Sequence, residues 1–217
     1  MDDFEQKSYR VYKGNSYQEE KGKGHGCLGA VLALFLIVCV IVGLLMFSTN
    51  VLDGVKNKAL SIFYPQKYSE YVTEYSQEFS VSEPLVYAVM RTESGFREEV
   101  ESHAGAVGLM QLMPQTFEWL QNSKDGEITL SADDLKKPDV NIEYGTYFLS
   151  YLNSRYDGNL QVIAAAYNAG ITTVDNWLGD KTYSSDGKTL TYIPYEETSK
   201  YVKKVKDTYE MYETLYY

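Results

Sequence analysis

Cysteine is nearly absent from this sequence. Of its 217 residues only Cys27 and Cys39 carry thiols, and both fall inside one apolar run. The chain beyond that run therefore has no sulfur for a disulfide, a zinc site or a thiol nucleophile. Excess positive charge is missing too: the formal net charge is −10, and the first 26 residues balance five basic against five acidic side chains, so the whole imbalance lies further on. An acidic surface without a basic stripe repels phosphate backbones, which excludes nucleic acid as a partner and leaves solubility as the role of the charge. The third absence is local. Cys27–Phe47 has no charged or strongly polar side chain, and at about 1.5 Å per residue it reaches the roughly 30 Å of a bilayer's hydrocarbon core.

That run is expected to be a transmembrane helix over 27–47. It is followed by Ser48-Thr49-Asn50-Val51 rather than a small-x-small cleavage site, so it reads as an uncleaved anchor. Lys13, Lys21 and Lys23 precede it and only Lys56 and Lys58 follow closely, a positive-inside bias that puts the N-terminus in the cytoplasm. Residues 1–26 are polar and mixed in charge, a cytoplasmic disordered tail. Residues 48–64 read as a linker, and 65–217 as one extracytoplasmic domain of ordinary size.

The most informative stretch is Leu85–Pro114, LVYAVMRTESGFREEVESHAGAVGLMQLMP. Ser82 is a candidate N-cap and Pro84 suits a first helical turn, after which Leu85, Val86, Val89 and Met90 recur at helical spacing. Glu93 lies one turn beyond Val89 and continues that apolar face. A carboxyl there loses hydration, which raises its pKa toward a range where it can donate a proton at neutral pH. The bland alternative is a helix-end glutamate solvated or paired with Arg91 or Arg97. Gly105 and Gly108 then allow a tight turn close to a ligand or a neighbouring helix.

Several further helices are expected. Tyr68, Tyr71, Val72, Tyr75 and Phe79 mark an amphipathic one. Another covers Asn141–Tyr156, with Gly145 where two elements can approach closely. Leu160–Ala169 is small and apolar, a central helix ending in Tyr167 and Asn168, whose polar groups need partners from protein or ligand. A short helix spans Thr172–Leu178, and Glu196–Tyr212 is the last, with Tyr201, Val202, Val205 and Tyr209 inward. Between these two, Asp186-Gly187 within Lys181–Tyr192 is a β-hairpin signal. The fold class is mainly α with a small β-hairpin, preceded by one transmembrane helix.

Three ordered blocks carry a resemblance. Glu93-Ser94 is followed by Ser102, Gly105-Ala106, Gly108-Leu109-Met110-Gln111 and Pro114. Ala164-Ala165-Ala166-Tyr167-Asn168-Ala169-Gly170 comes next, then Ile193-Pro194-Tyr195 with Glu197-Thr198 and Tyr201-Val202. Together they resemble the lytic transglycosylase family of the soluble-transglycosylase type, over roughly Gln66–Tyr209. The resemblance implies a lysozyme-like, goose-type fold and cleavage of peptidoglycan between N-acetylmuramic acid and N-acetylglucosamine, at a bacterial cell membrane. It implies that Glu93 is the catalytic acid and base and that a 1,6-anhydro ring closes without water.

It further implies that Ser102, Gln111, Met113, Tyr167 and Glu197 contact substrate. In that scheme Tyr167 holds the catalytic carboxyl or a sugar N-acetyl group, and Asn168 and Gly170 shape the wall. For Gln111 a backbone-satisfying amide is the alternative. Glu98, Glu99 and Glu101 read as a solvated charge run. No metal or organic cofactor is implied, and protein partners are not readable. Two other readings stay open: a lysozyme-like muramidase on the same fold, and a non-catalytic glycan-binding or scaffold component of an envelope machine.

Overall fold

The computed structural model describes residues 25–217. The expected tail lies outside the described residues apart from its last two positions. The chain divides into two compact units, 1–55 and 56–217. The first helix, α1 (His25–Phe63), has 39 residues and stays helical through most of the expected linker. From Val31 to Met46 its side chains are all exposed. Among the described residues no helix is long and apolar enough to cross a membrane, the described side chains of the apolar run being those of 31–46.

The second unit is built from seven further helices among the described residues: α2 (Ser69–Phe79), α3 (Glu83–Glu93), α4 (Pro114–Lys124), α5 (Pro138–Arg155), α6 (Leu160–Ala169), α7 (Ile171–Gly179) and α8 (Glu196–Tyr216). Their starts follow local chemistry. Pro84, Pro114 and Pro138 each sit in a first turn, where the missing N–H has no intrahelical role. Ser82 is the N-cap of α3, although its hydroxyl makes no capping bond. Asn159 caps α6 by accepting from Val162 N.

Helix α6 is the centre, as its composition predicts. Val162 to Ala166 are buried, and α5, α7 and α8 pack around it, while α3 lies on α8 and α2 on α5. Small side chains let three helices close on one axis without voids. Tyr201, Val202 and Val205 face inward from α8 with Thr198, Thr208 and Tyr212; Tyr209 is only half-buried.

One expected element does not form. Lys181–Tyr192 contains turns and bends rather than a β-hairpin, and the β pairing found among the described residues is two isolated bridges, Glu101 with Val107 and Val107 with Leu112. The reason is local competition. Asp186 Oδ1 accepts from the backbone N–H groups of Lys188 and Thr189, both at 2.8 Å, and Ser184 Oγ accepts from Gly187 N at 3.0 Å. Side chains thus take donors that a two-stranded ladder needs. A single backbone bond, Thr191 N to Tyr183 O at 2.8 Å, closes the excursion. A 3₁₀ turn, Ala132–Lys136, interrupts the connection between α4 and α5.

Candidate active site

Glu93 is the last residue of α3. Seven consecutive residues before it in that helix, Pro84 to Met90, are buried, so the helix ends as it leaves the core and carries the carboxyl to the edge. Burial pushes Glu93 from the ordinary 4.5 up to about 7, against the lowering effects of a hydrogen bond from Tyr201 and the positive charge of Lys204. Tyr201 Oη, on α8, donates to Glu93 Oε1 at 2.6 Å. Lys204 Nζ, one turn on, donates to Thr92 O at 3.1 Å and caps the carbonyl end of α3. The Arg91 guanidinium lies over the Tyr64 ring at 4.2 Å, and Arg97 Nε donates to Ser94 O at 2.7 Å. The arginine partners of the bland alternative are therefore engaged elsewhere. A half-protonated carboxyl at neutral pH can serve as acid and then as base.

Loop 94–113 follows Glu93 directly in the chain and is pinned at three points. Ser94 is buried, and its Oγ donates to Leu109 O at 2.8 Å. Asn141, fully buried at the start of α5, accepts from Met110 N at 2.7 Å through Oδ1 and donates to Leu135 O at 2.7 Å and Val107 O at 3.0 Å through Nδ2. Tyr167 Oη donates to Met110 O at 2.8 Å. Gly108, at φ +83°, makes this fit possible: a Cβ there would meet Asn141 Nδ2 at 2.1 Å and Leu135 O at 2.4 Å. Gly145 does allow a close approach, to the Met110 side chain, whose Sδ would lie 2.3 Å from an added Cβ.

The residues singled out from sequence fall into three groups. Tyr167 feels the Glu93 charge and, with burial as the larger cause, its phenol is pushed well above its usual range. It shares a cavity of about 310 Å³ with Met113, Trp119, Phe148 and the 168–171 turn. Ser102 and Gln111 serve the loop itself. Ser102 Oγ accepts from Ala106 N at 3.0 Å. Gln111, at φ +49°, donates through Nε2 to Val100 O and Gly108 O at 2.9 Å each, which helps hold a residue in a sparsely populated conformation. Glu197 is exposed in the first turn of α8, one turn before Tyr201.

The hydrogen bond to the Glu93 carboxyl thus comes from Tyr201, while the Tyr167 hydroxyl goes to Met110 O. Tyr201 belongs to the third sequence block but reads there as an inward packing residue; a phenol among apolar positions, one turn after Glu197, is the signal that could have found it. Asn141 gave none, because a single asparagine early in a helix looks like any other. Among the described residues no group of three or more His, Cys, Asp or Glu side chains could hold a metal ion. A larger cavity of about 800 Å³, between the ends of α5 and α7 and the 186–189 loop, contains none of these residues.

Comparison with known proteins fits this geometry. The family model described as Transglycosylase SLT domain matches residues 70–205, which includes Glu93, the pinned loop, Tyr167 and Tyr201. The soluble lytic murein transglycosylase of Salmonella typhimurium is 34% identical over 143 residues, 65% of this chain and 22% of that one. The membrane-bound lytic murein transglycosylase C of Edwardsiella ictaluri is 31% identical over 168 residues, covering 67% of this chain and 46% of its own. Among solved structures, the 70 kDa soluble lytic transglycosylase of Escherichia coli superposes with a TM-score of 0.64 at 29% identity, over 71% of this chain and 25% of that chain. The chain spans less than half the length of each of these relatives. The family model covers well over half of the chain, and the chain belongs to the transglycosylase SLT domain family.

Proposed function

We propose that this protein is a membrane-anchored peptidoglycan lytic transglycosylase that cuts the bond between N-acetylmuramic acid and N-acetylglucosamine and leaves 1,6-anhydro-muramic acid ends. The observation that carries the reading is the state of Glu93: a carboxyl at the end of α3, raised to about 7 by burial, held by Tyr201 at 2.6 Å and subject to the positive charge of Lys204. Hydrolysing glycosidases add a second carboxylate as nucleophile or water activator; the lytic route needs Glu93 alone.

Protonated Glu93 donates to the glycosidic oxygen as the C1–O bond breaks. As carboxylate it then accepts the proton of the muramic acid C6 hydroxyl, whose oxygen bonds to C1 and closes the anhydro ring. The proton returns to Glu93 and no water is consumed. Because the attacking hydroxyl belongs to the substrate, its effective concentration is high enough to need no second protein carboxylate. Tyr201 keeps the carboxyl aimed through both steps. Met113 and Tyr167 form the wall against which the sugar rests, while Ser102 and Gln111, which also brace the loop through Oγ and Nε2, contact the saccharide together with Glu197.

The membrane part rests on Val31–Met46, where exposed apolar side chains follow one another around a helix; lipid is the solvent that such a surface matches. The chain crosses once over 27–47, with residues 1–26 in the cytoplasm and 65–217 facing the wall. Mass spectrometry of digested peptidoglycan tests the reaction. Muropeptides ending in 1,6-anhydro-muramic acid, lighter by one water than reducing ends, are expected, and Glu93→Gln is expected to lower cleavage by about 10²–10⁴. Reducing ends would show a hydrolase.

A further inference from the structure

We propose that Trp119 is a sugar-stacking platform in the cavity it shares with Tyr167, receiving the apolar face of an uncharged N-acetylhexosamine ring of the bound glycan. The inference rests on the glycan-cleaving reading above and adds a residue to it. On α4, Phe117 and Leu120 are buried in the core, whereas Trp119 keeps 38% of its surface exposed. One partly exposed indole is ordinary on a protein surface; this one is set apart by lining the cavity that holds Tyr167 and Asn168.

Its ring is propped rather than covered. Phe148 lies perpendicular to it at 6.1 Å and 82°, and Tyr151 at 4.9 Å and 83°, and among the described residues no aromatic ring stacks parallel on it. Phe148 in turn meets Tyr167 at 5.1 Å, and Tyr167 feels the charge of Glu93. The row Tyr151, Trp119, Phe148, Tyr167 therefore runs from open surface to the phenol that senses the Glu93 charge.

The cavity lining decides the class of ligand. Met113, Thr116, Trp119, Phe148, Tyr167 and the 166–171 stretch include no Asp, Glu, Lys, Arg or His. Such a wall suits a neutral ring with one apolar C–H face, not an acidic peptide, and a cavity of about 310 Å³ is at the small end of ligand sites, of the order of a single sugar unit. Polar edges of that ring meet Thr116 and Asn168. Asn168 Oδ1 accepts from Thr198 Oγ1 at 2.7 Å, which leaves the Nδ2 hydrogens as its remaining donors.

The chain has two tryptophans, and the other, Trp177, is 6% exposed beneath Tyr195. Emission can thus be assigned to Trp119 in a Trp177→Phe background. The full chain in detergent micelles, carrying Glu93→Gln to prevent turnover, is titrated with an N-acetylglucosamine tetramer. Saturable change and blue shift of the Trp119 emission are expected, and calorimetry should find binding weakened about tenfold by Trp119→Ala and less by Trp119→Phe. With Glu93 intact, Trp119→Ala should raise KM for peptidoglycan while kcat stays within about twofold. Tetramer binding by calorimetry with unchanged Trp119 emission, or cleavage with unchanged KM in Trp119→Ala, would overturn the platform and leave the reaction standing. Absence of cleavage by the wild-type chain would overturn the reaction, and the platform with it.

Discussion

Replacing Glu93 with Gln should make the protein more stable at alkaline pH while removing its activity. Glu93 has its folded pKa raised from 4.5 to about 7, with burial as the cause. Below about pH 4.5 the carboxyl is protonated in both folded and unfolded chains and costs nothing. Between 4.5 and 7 the folded state binds the extra proton, so stability falls as pH rises, and above 7 the folded protein carries the full cost. A shift from 4.5 to about 7, at about 1.36 kcal/mol per pH unit, amounts to about 3 kcal/mol. Gln keeps the shape and still accepts the Tyr201 hydroxyl found at 2.6 Å, but has no charge to desolvate. Urea unfolding of wild type and Glu93→Gln, from pH 4 to 8, should give curves that coincide at the acid end. They should diverge toward about 3 kcal/mol in favour of the variant at pH 8. Parallel curves across that range would mean that Glu93 titrates as an ordinary surface carboxylate, and the acid–base argument would lose its foundation.

Other outcomes follow from the same contacts. Tyr201→Phe removes the hydrogen bond that favours the Glu93 carboxylate, so Glu93 should titrate higher still and the alkaline limb of kcat/KM should move to higher pH; a fixed or lowered limb would contradict the assignment. Asn141→Ala strips the partners from Met110 N, Val107 O and Leu135 O, at about 1–3 kcal/mol for each group left buried and unpaired, so denaturant midpoints should fall sharply and activity with them. Gly145→Val pushes on Met110, and an overpacking loss of about 1–3 kcal/mol is expected in the same unfolding assay. A chain beginning at Asp53 should be soluble and helical and should melt cooperatively, because the second unit starts at Lys56; aggregation of several such truncations would move the boundary.

The sequence by itself determined the helices that bury a stripe, since periodicity follows directly from where apolar side chains stand: α3, α5, α6 and α8 sit close to where the spacing put them. It also singled out Glu93 as a candidate, because that residue prolongs an apolar face and opens the first of three ordered blocks; whether its carboxyl is solvated, paired or dehydrated was left to the packing, which buries it. It did not determine the fate of Lys181–Tyr192. There Asp186 and Ser184 compete for backbone donors, and that contest is decided by side-chain geometry which composition does not encode.

Only the tertiary structure decided who holds the acid. Tyr201 lies 108 positions from Glu93, and its hydroxyl reaches the carboxyl because α8 packs on α3; in the sequence it is one more inward aromatic. The same holds for Asn141, whose three bonds span loop 107–110 and Leu135, and for Trp119, whose exposure depends on Phe148 and Tyr151 standing edge-on beside it. Local spacing fixes which face of a helix a side chain occupies. What that face meets is set by packing between helices distant in the chain, and the polar contacts of this site are made there.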